Sequence, residues 1–197
     1  MIEPIFGLAE RLQTALDAAG VPCALIGAHA MAAHGVVRAT SDLDLALCIS
    51  LPELRRVATL LEALDGVTVE LSPPDPSDPL GGVVNVEGAG DLVQLVNFYN
   101  STRADHELGQ KIGEGALRSA TAFVPGVALR IVDLPHLVAL KLYSWDRSAP
   151  AGKSYADAKL LLDANPGLTD QTLLDACNAV GLRPEVEAFL RFARPGP

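Results

Sequence analysis

The chain has 197 residues, with 15 Lys+Arg against 24 Asp+Glu, a formal net charge of -9 and 49% hydrophobic residues. That balance excludes a disordered chain, and it excludes a protein that coats nucleic acid, which needs a clustered cationic face. No apolar run approaches the roughly 20 residues that cross a bilayer. The first residues carry no basic segment, so no signal peptide is expected. Cys23, Cys48 and Cys177 are odd in number and far apart, which fits neither a disulfide framework nor a CxxC metal knuckle. A soluble, cytoplasmic protein without membrane contact is expected.

In chain order, Leu8, Leu12, Ala15, Leu16 and Ala19 space a helix over 5–19, ended by Gly20 with Pro22 beyond. Residues 23–27 (CALIG) read as a short buried strand that turns at Gly27. The Ala-rich stretch 29–35 fits a short helix stopped by Gly35. Residues 42–49 alternate as a strand, and 51–64 have helical spacing with Ser50 as N-cap and Pro52 in the first turn. Residues 67–71 are β-branched and read as a strand. The Pro-rich stretch 72–82 predicts a mobile surface loop. Two strands follow, joined near 88–90, then a more polar helix over 103–117. Residues 122–132 predict a hairpin about Pro125-Gly126. Four helices over 134–146, 154–164, 171–179 and 184–193 complete the chain. The fold class is therefore α/β (α+β), a mixed sheet flanked by helices. A sheet-bearing core over 1–133 is expected to carry a helical region, 134–197, packed on it.

The chemistry concentrates between Leu25 and Leu47. A strand delivers the backbone to a tight glycine turn, and a short helix starts immediately after it, an arrangement that suits a phosphate. The next strand carries Asp42 and Asp44, which period-two alternation places on one face. Two adjacent carboxylates repel unless a cation sits between them, and a divalent ion bridging a nucleotide's phosphates meets that need. Each feature also has an ordinary reading. A D-x-D on a strand edge can be solvated charge, Gly27 a plain turn residue and His34 a cap or core hydrogen-bonder.

Taken in order, Gly27, His34-Gly35, Arg38, Thr40, Asp42 and Asp44 resemble the nucleotidyltransferase superfamily typified by DNA polymerase β. The similarity is greatest to its small bacterial AbiEii/MNT-like branch, some members of which are toxins of toxin–antitoxin pairs. The resemblance spans roughly residues 21 to 163 and is carried mainly by this first motif. Later, Leu140-Lys141-Leu142 and Lys153-Ser-Tyr-Ala-Asp157 match the branch loosely. The resemblance implies a nucleotidyltransferase-type mixed sheet with a C-terminal helical region. It implies Asp42 and Asp44 as catalytic residues holding Mg²⁺ or Mn²⁺. Gly27, Ala28, Arg38, Thr40, Ser41 and Lys141 become the nucleotide-binding set, and an NTP donor, a hydroxyl acceptor and an antitoxin protein the implied partners.

One departure bears on mechanism. The superfamily's third carboxylate comes from a later strand, and here that strand reads Leu92-Val93-Gln94-Leu95-Val96, with Gln94 at the expected place. A glutamine accepts no proton at neutral pH and binds Mg²⁺ poorly. Asp91 falls on the opposite face of a regular strand, and Glu70 and Glu87 read as edge charges. Lys141 lies among apolar neighbours and either snorkels to water or contacts phosphate. Asp157 reads as a first-turn helix charge, Lys153 as a solvated loop residue, and Tyr143 and Trp145 as core or interface. Arg118, Arg130 and Arg147 are scattered candidates for a local basic patch on a chain with no extended nucleic-acid surface. The expected activity is transfer of an NMP from an NTP to a hydroxyl of RNA, protein or a small molecule. Its rival is a catalytically degenerate relative that binds a nucleotide or protein without turnover.

Overall fold

In the computed structural model, which describes residues 4–122, 129–145 and 152–193, these periodicities become seven strands and eight helices among the described residues. The order is α1 (Pro4–Ala18), β1 (Ala24–Ile26), α2 (Gly27–Ala33), β2 (Asp42–Leu47), α3 (Leu51–Glu62), β3 (Val67–Ser72), β4 (Val83–Gly88) and β5 (Asp91–Asn97). Then come α4 (His106–Ser119), β6 (Thr121–Ala122), β7 (Arg130–Ile131), α5 (Leu134–Tyr143), α6 (Lys153–Ala164), α7 (Asp170–Ala179) and α8 (Arg183–Ala193). Local signals set several of these ends. At α3, Glu53 Oε2 accepts from the Ser50 backbone N–H at 3.1 Å and from Ser50 Oγ at 2.7 Å, the reciprocal cap expected of S-x-x-E.

The strands form one mixed sheet in the order β3-β4-β5-β2-β1-β7-β6. The pairs β2–β5 and β1–β7 are parallel, and the other four are antiparallel. Alternation divides the sheet into two chemically different faces. Leu43, Leu45, Leu47, Val84, Val86, Val93 and Leu95 are fully buried, and α1 and α3 pack on these strands. Each such side chain contributes roughly 1.5–3 kcal/mol relative to exposure. The other face carries Asp42, Asp44, Gln94 and Asn85, all half-buried. Helix α4 closes one end of that face by bringing Gly113 against Cys48 and Phe98. A Cβ on Gly113 would lie 2.7 Å from the Phe98 Cβ, so only glycine permits this approach.

Helix α5 packs against α4 and against α6, α7 and α8. A single hydrophobic core runs from Ile5 to Ala193, across the boundary expected near residue 133. Trp145 and Tyr143 belong to this packing, as expected. Trp145 is 8% exposed and stacks near Tyr155 and Phe189, while Tyr143 meets Phe98. The tip of the expected hairpin, Pro125-Gly126, lies outside the described residues, but its flanks β6 and β7 do pair antiparallel.

The Pro-rich stretch is the surface excursion that its sequence implies, and buried amides anchor it. Asn100, 1% exposed, donates through Nδ2 to the carbonyls of Asp75, Asp78 and Leu80 at 2.8–2.9 Å. Fully buried Asn97 donates to Gly81 and Ile49, and the Tyr143 hydroxyl donates to Pro79 O at 3.1 Å. Proline supplies no backbone N–H, so side-chain donors tie the loop through its carbonyls instead.

Candidate active site

Strand β1 is buried along its whole length and leads straight into Gly27, whose φ is +67°. Helix α2 begins at that residue. A Cβ on Gly27 would lie 1.8 Å from Asp44 Oδ2, so the turn requires glycine twice over, for its left-handed backbone and for the carboxylate it abuts. Ala28, 2% exposed, packs beneath the turn. At the far end of α2 the His34 imidazole Nε2 lies 2.9 Å from Val132 O, and the Asn165 side chain donates to His34 O at 2.9 Å. His34 is thus the hydrogen-bonder of the ordinary reading, tying α2 to the segment before α5 and to the end of α6.

Arg38, Thr40 and Ser41 line the approach to β2. Thr40 Oγ1 donates a short hydrogen bond to Asp42 Oδ1, so this hydroxyl orients the carboxylate. Ser41 is exposed. Asp42 and Asp44 alternate with buried Leu43 and Leu45 and share the open face, as the period-two reading requires. Burial, and secondarily the Asp42 charge, push the Asp44 carboxyl above the usual aspartate range, while Lys141, His29 and Lys153 pull it back. A carboxylate that is costly to ionise beside a second one is a pair that a divalent cation stabilises.

Two lysines from the helical region therefore act on Asp44, through α5 and through the first residue of α6. Lys141 Nζ donates to Asp157 Oδ2 at 2.7 Å, and Arg38 Nε lies 3.8 Å from Asp157 Oδ1. Asp157 is only 3% exposed. It is no first-turn dipole charge but the fifth residue of α6, buried between two cations drawn from separate parts of the chain. Nor does Lys141 simply snorkel, since a buried carboxylate fixes its ammonium. The apolar neighbours of Lys141 were the sequence signal for such a partner, because a lysine among leucines needs a buried acid nearby. His29 gave no comparable signal. Its Nδ1 is buried without a hydrogen-bond partner among the described residues, and its ring meets Phe6 edge-on at 5.3 Å.

Gln94 stands in register with Asp44 on the adjacent parallel strand and so shares its face. Its Nε2 donates to Asn85 Oδ1 at 2.9 Å. Asp91 is paired with Gly88 in unbroken register, with no bulge to turn it toward the site. Among the described residues, no group of three or more His, Cys, Asp or Glu could hold a metal ion. Of the candidate basic residues, Arg118 pairs with Glu114 at 3.3 Å and Arg130 with Asp17 at 2.5 Å, while Arg147 lies outside the described residues. No helix among the described residues is long and apolar enough to cross a membrane.

No family model matches the chain, and no curated protein does. Solved structures do. ANT(2")-Ia in complex with adenylyl-2"-tobramycin is 18% identical over 92% of this chain and 99% of its own, with a TM-score of 0.57. The solution structure of ANT(2'')-Ia matches with 16% identity over 95% of each chain and a TM-score of 0.56. A nucleotidyltransferase-like protein from Paracoccidioides brasiliensis is 19% identical over 95% of this chain and 92% of its own, with a TM-score of 0.52. The chain therefore has the mixed α/β fold of the nucleotidyltransferases.

Proposed function

We infer that the chain is a nucleotidyltransferase that moves an NMP from an NTP to a hydroxyl acceptor. The observation that carries this reading is the seating of Gly27 against Asp44, with Asp42 beside it on the same face. A plain structural domain has no need for a glycine turn pressed onto one of two adjacent carboxylates.

In this reading Asp42 and Asp44 hold Mg²⁺ or Mn²⁺, and their donor chemistry fits, being hard oxygen ligands whose like charge Lys141, His29 and Lys153 only partly offset. The ion would supply charge neutralisation for the triphosphate. Thr40 fixes the Asp42 carboxylate. The backbone at Gly27 and Ala28 approaches the phosphates, with Arg38 and Lys141 as cations and Ser41 at the rim. The acceptor oxygen bonds to the α-phosphorus as the bond to the bridging oxygen breaks, pyrophosphate leaves, and the hydroxyl proton passes to a base or to water. Gln94 cannot take that proton.

Among acceptor classes, a small molecule is the one with a structural precedent. The complex of ANT(2")-Ia with adenylyl-2"-tobramycin is a precedent for a small-molecule acceptor on this fold. A toxin-type role with an antitoxin partner rests on the AbiEii/MNT resemblance alone, as does a cytoplasmic location on composition. The second reading, a degenerate site that binds nucleotide without turnover, is favoured by one observation, the neutral Gln94–Asn85 pair beside Asp44. Pyrophosphate release from each NTP with a panel of hydroxyl acceptors separates the two. Release that Asp42→Asn abolishes supports transfer, and nucleotide binding without release supports the degenerate site.

A further inference from the structure

Register across four strands bears on how many cations this site can hold. Asp44 pairs with Gln94, Gln94 with Asn85, and Asn85 with Glu70, so one row crosses β2, β5, β4 and β3 on the open face. Neighbouring strands lie about 4.8 Å apart, so position 94 alone on this row stands near enough to add a ligand beside Asp44. It carries a neutral amide whose Nε2 is already committed to Asn85 Oδ1 at 2.9 Å. Magnesium binds through carboxylates, phosphates and water, and an amide competes poorly with these.

Other acids among the described residues do not substitute. Asp91 is three residues from Gln94 in an unbroken ladder and faces the opposite way. Glu87 pairs with Leu92, which pairs with Asp42, so it stands two strands from the site. Glu70 is three strands from Asp44, about 14 Å at that strand spacing. Asp157 is taken by Lys141 at 2.7 Å and Arg38 at 3.8 Å.

We propose that the site holds a single divalent cation, bound by Asp42 and Asp44, and that the Gln94–Asn85 amide pair occupies the place where a second would need a carboxylate. This rests on the donor-site reading above and specifies its metal content. One divalent ion neutralises the two carboxylates, and among the described residues no third acid is left to draw another.

Counting bound Mn²⁺ tests the proposal without any turnover. Free Mn²⁺ is read by electron paramagnetic resonance in the presence of the full chain and α,β-methylene analogues of each of the four NTPs, corrected for nucleotide alone. One Mn²⁺ per chain is expected in the wild type and two in Gln94→Asp. Asn85→Asp, which puts a carboxylate one strand further out, is expected to keep one. Two ions in the wild type, or one in a Gln94→Asp protein with a normal melting transition, overturn the single-cation assignment. If Gln94→Asp does not fold, the wild-type count decides alone. No bound Mn²⁺ in the folded wild type overturns the donor-site reading itself, and the proposal with it.

Discussion

Gly27 and Asp44 are locked together: the space where a side chain would begin on Gly27 is filled by Asp44 Oδ2, 1.8 Å from an ideal Cβ. The same glycine has a φ of +67°, a left-handed conformation that costs an L-residue roughly 1–2 kcal/mol. Gly27→Ala is therefore expected to lower stability by about that amount, and to displace the Asp44 carboxylate as well. Calorimetry should show a reduced Tm together with loss of metal-dependent nucleotide binding. Normal nucleotide affinity in that variant would mean that the turn and the carboxylate are not one site.

Lys141 and Asp157 form the buried pair that couples α5 and α6 to the site. Removing one partner of a buried pair costs about 3–5 kcal/mol, whereas replacing both with apolar groups is often neutral. Asp157→Ala should be strongly destabilised in denaturant titrations. Lys141→Met with Asp157→Leu should recover most of that stability and still bind an NTP less tightly than the wild type. Full affinity in the folded double variant would remove Lys141 from the phosphate set.

Asp44 ties stability to pH through its raised carboxyl. Below the ordinary aspartate value both folded and unfolded chains hold the proton. Between that value and the raised one, the folded state alone holds it, so this group's stabilisation is lost as pH rises through the folded value. Other carboxylates, such as Asp133 beside His136, shift downward and contribute the opposite slope. The difference between proteins isolates Asp44. Asp44→Asn is expected to melt higher than the metal-free wild type at neutral pH, with the gain shrinking in acid. An unchanged or lower Tm at neutral pH would contradict a desolvated, repelled carboxylate. Added Mg²⁺ with NTP should raise the Tm of the wild type only.

The thiols give a test of the packing. Burial pushes Cys23, Cys48 and Cys177 each up to about 12. The folded protein should show almost no reaction with a thiol reagent at neutral pH, and three equivalents once denatured. Rapid reaction of Cys48 in the native protein would mean that α4 does not cover the end of β2.

Much of this was legible in the residues. Period-two alternation from Asp42 to Leu45 fixed which side chains face the core, and the helical stripes of α1 and α3 lie within two residues of where apolar spacing put them. The glycine turn abuts Asp44, and Asp42 shares that face of β2. What stayed hidden depended on distant partners. Nothing local marks Asn97 and Asn100 as the buried amides that hold the Pro-rich loop, because their acceptors come from up to 48 residues away. Asp157 reads locally as a first-turn helix charge because its two cations lie 16 residues away and at Arg38. Register was only half visible: the family resemblance places Gln94 beside the two carboxylates, but that Asn85 stands beside Gln94 follows only from how β4 and β5 align.

The most direct test is calorimetric titration of ATP, GTP, CTP and UTP into the wild-type protein with Mg²⁺ and then with EDTA, repeated on the double variant Asp42→Asn, Asp44→Asn. The expected result is binding of at least one nucleotide that requires the metal and disappears in the folded double variant. No binding of any nucleotide to well-folded wild-type protein, or unchanged binding in the double variant, would contradict the assignment of this site.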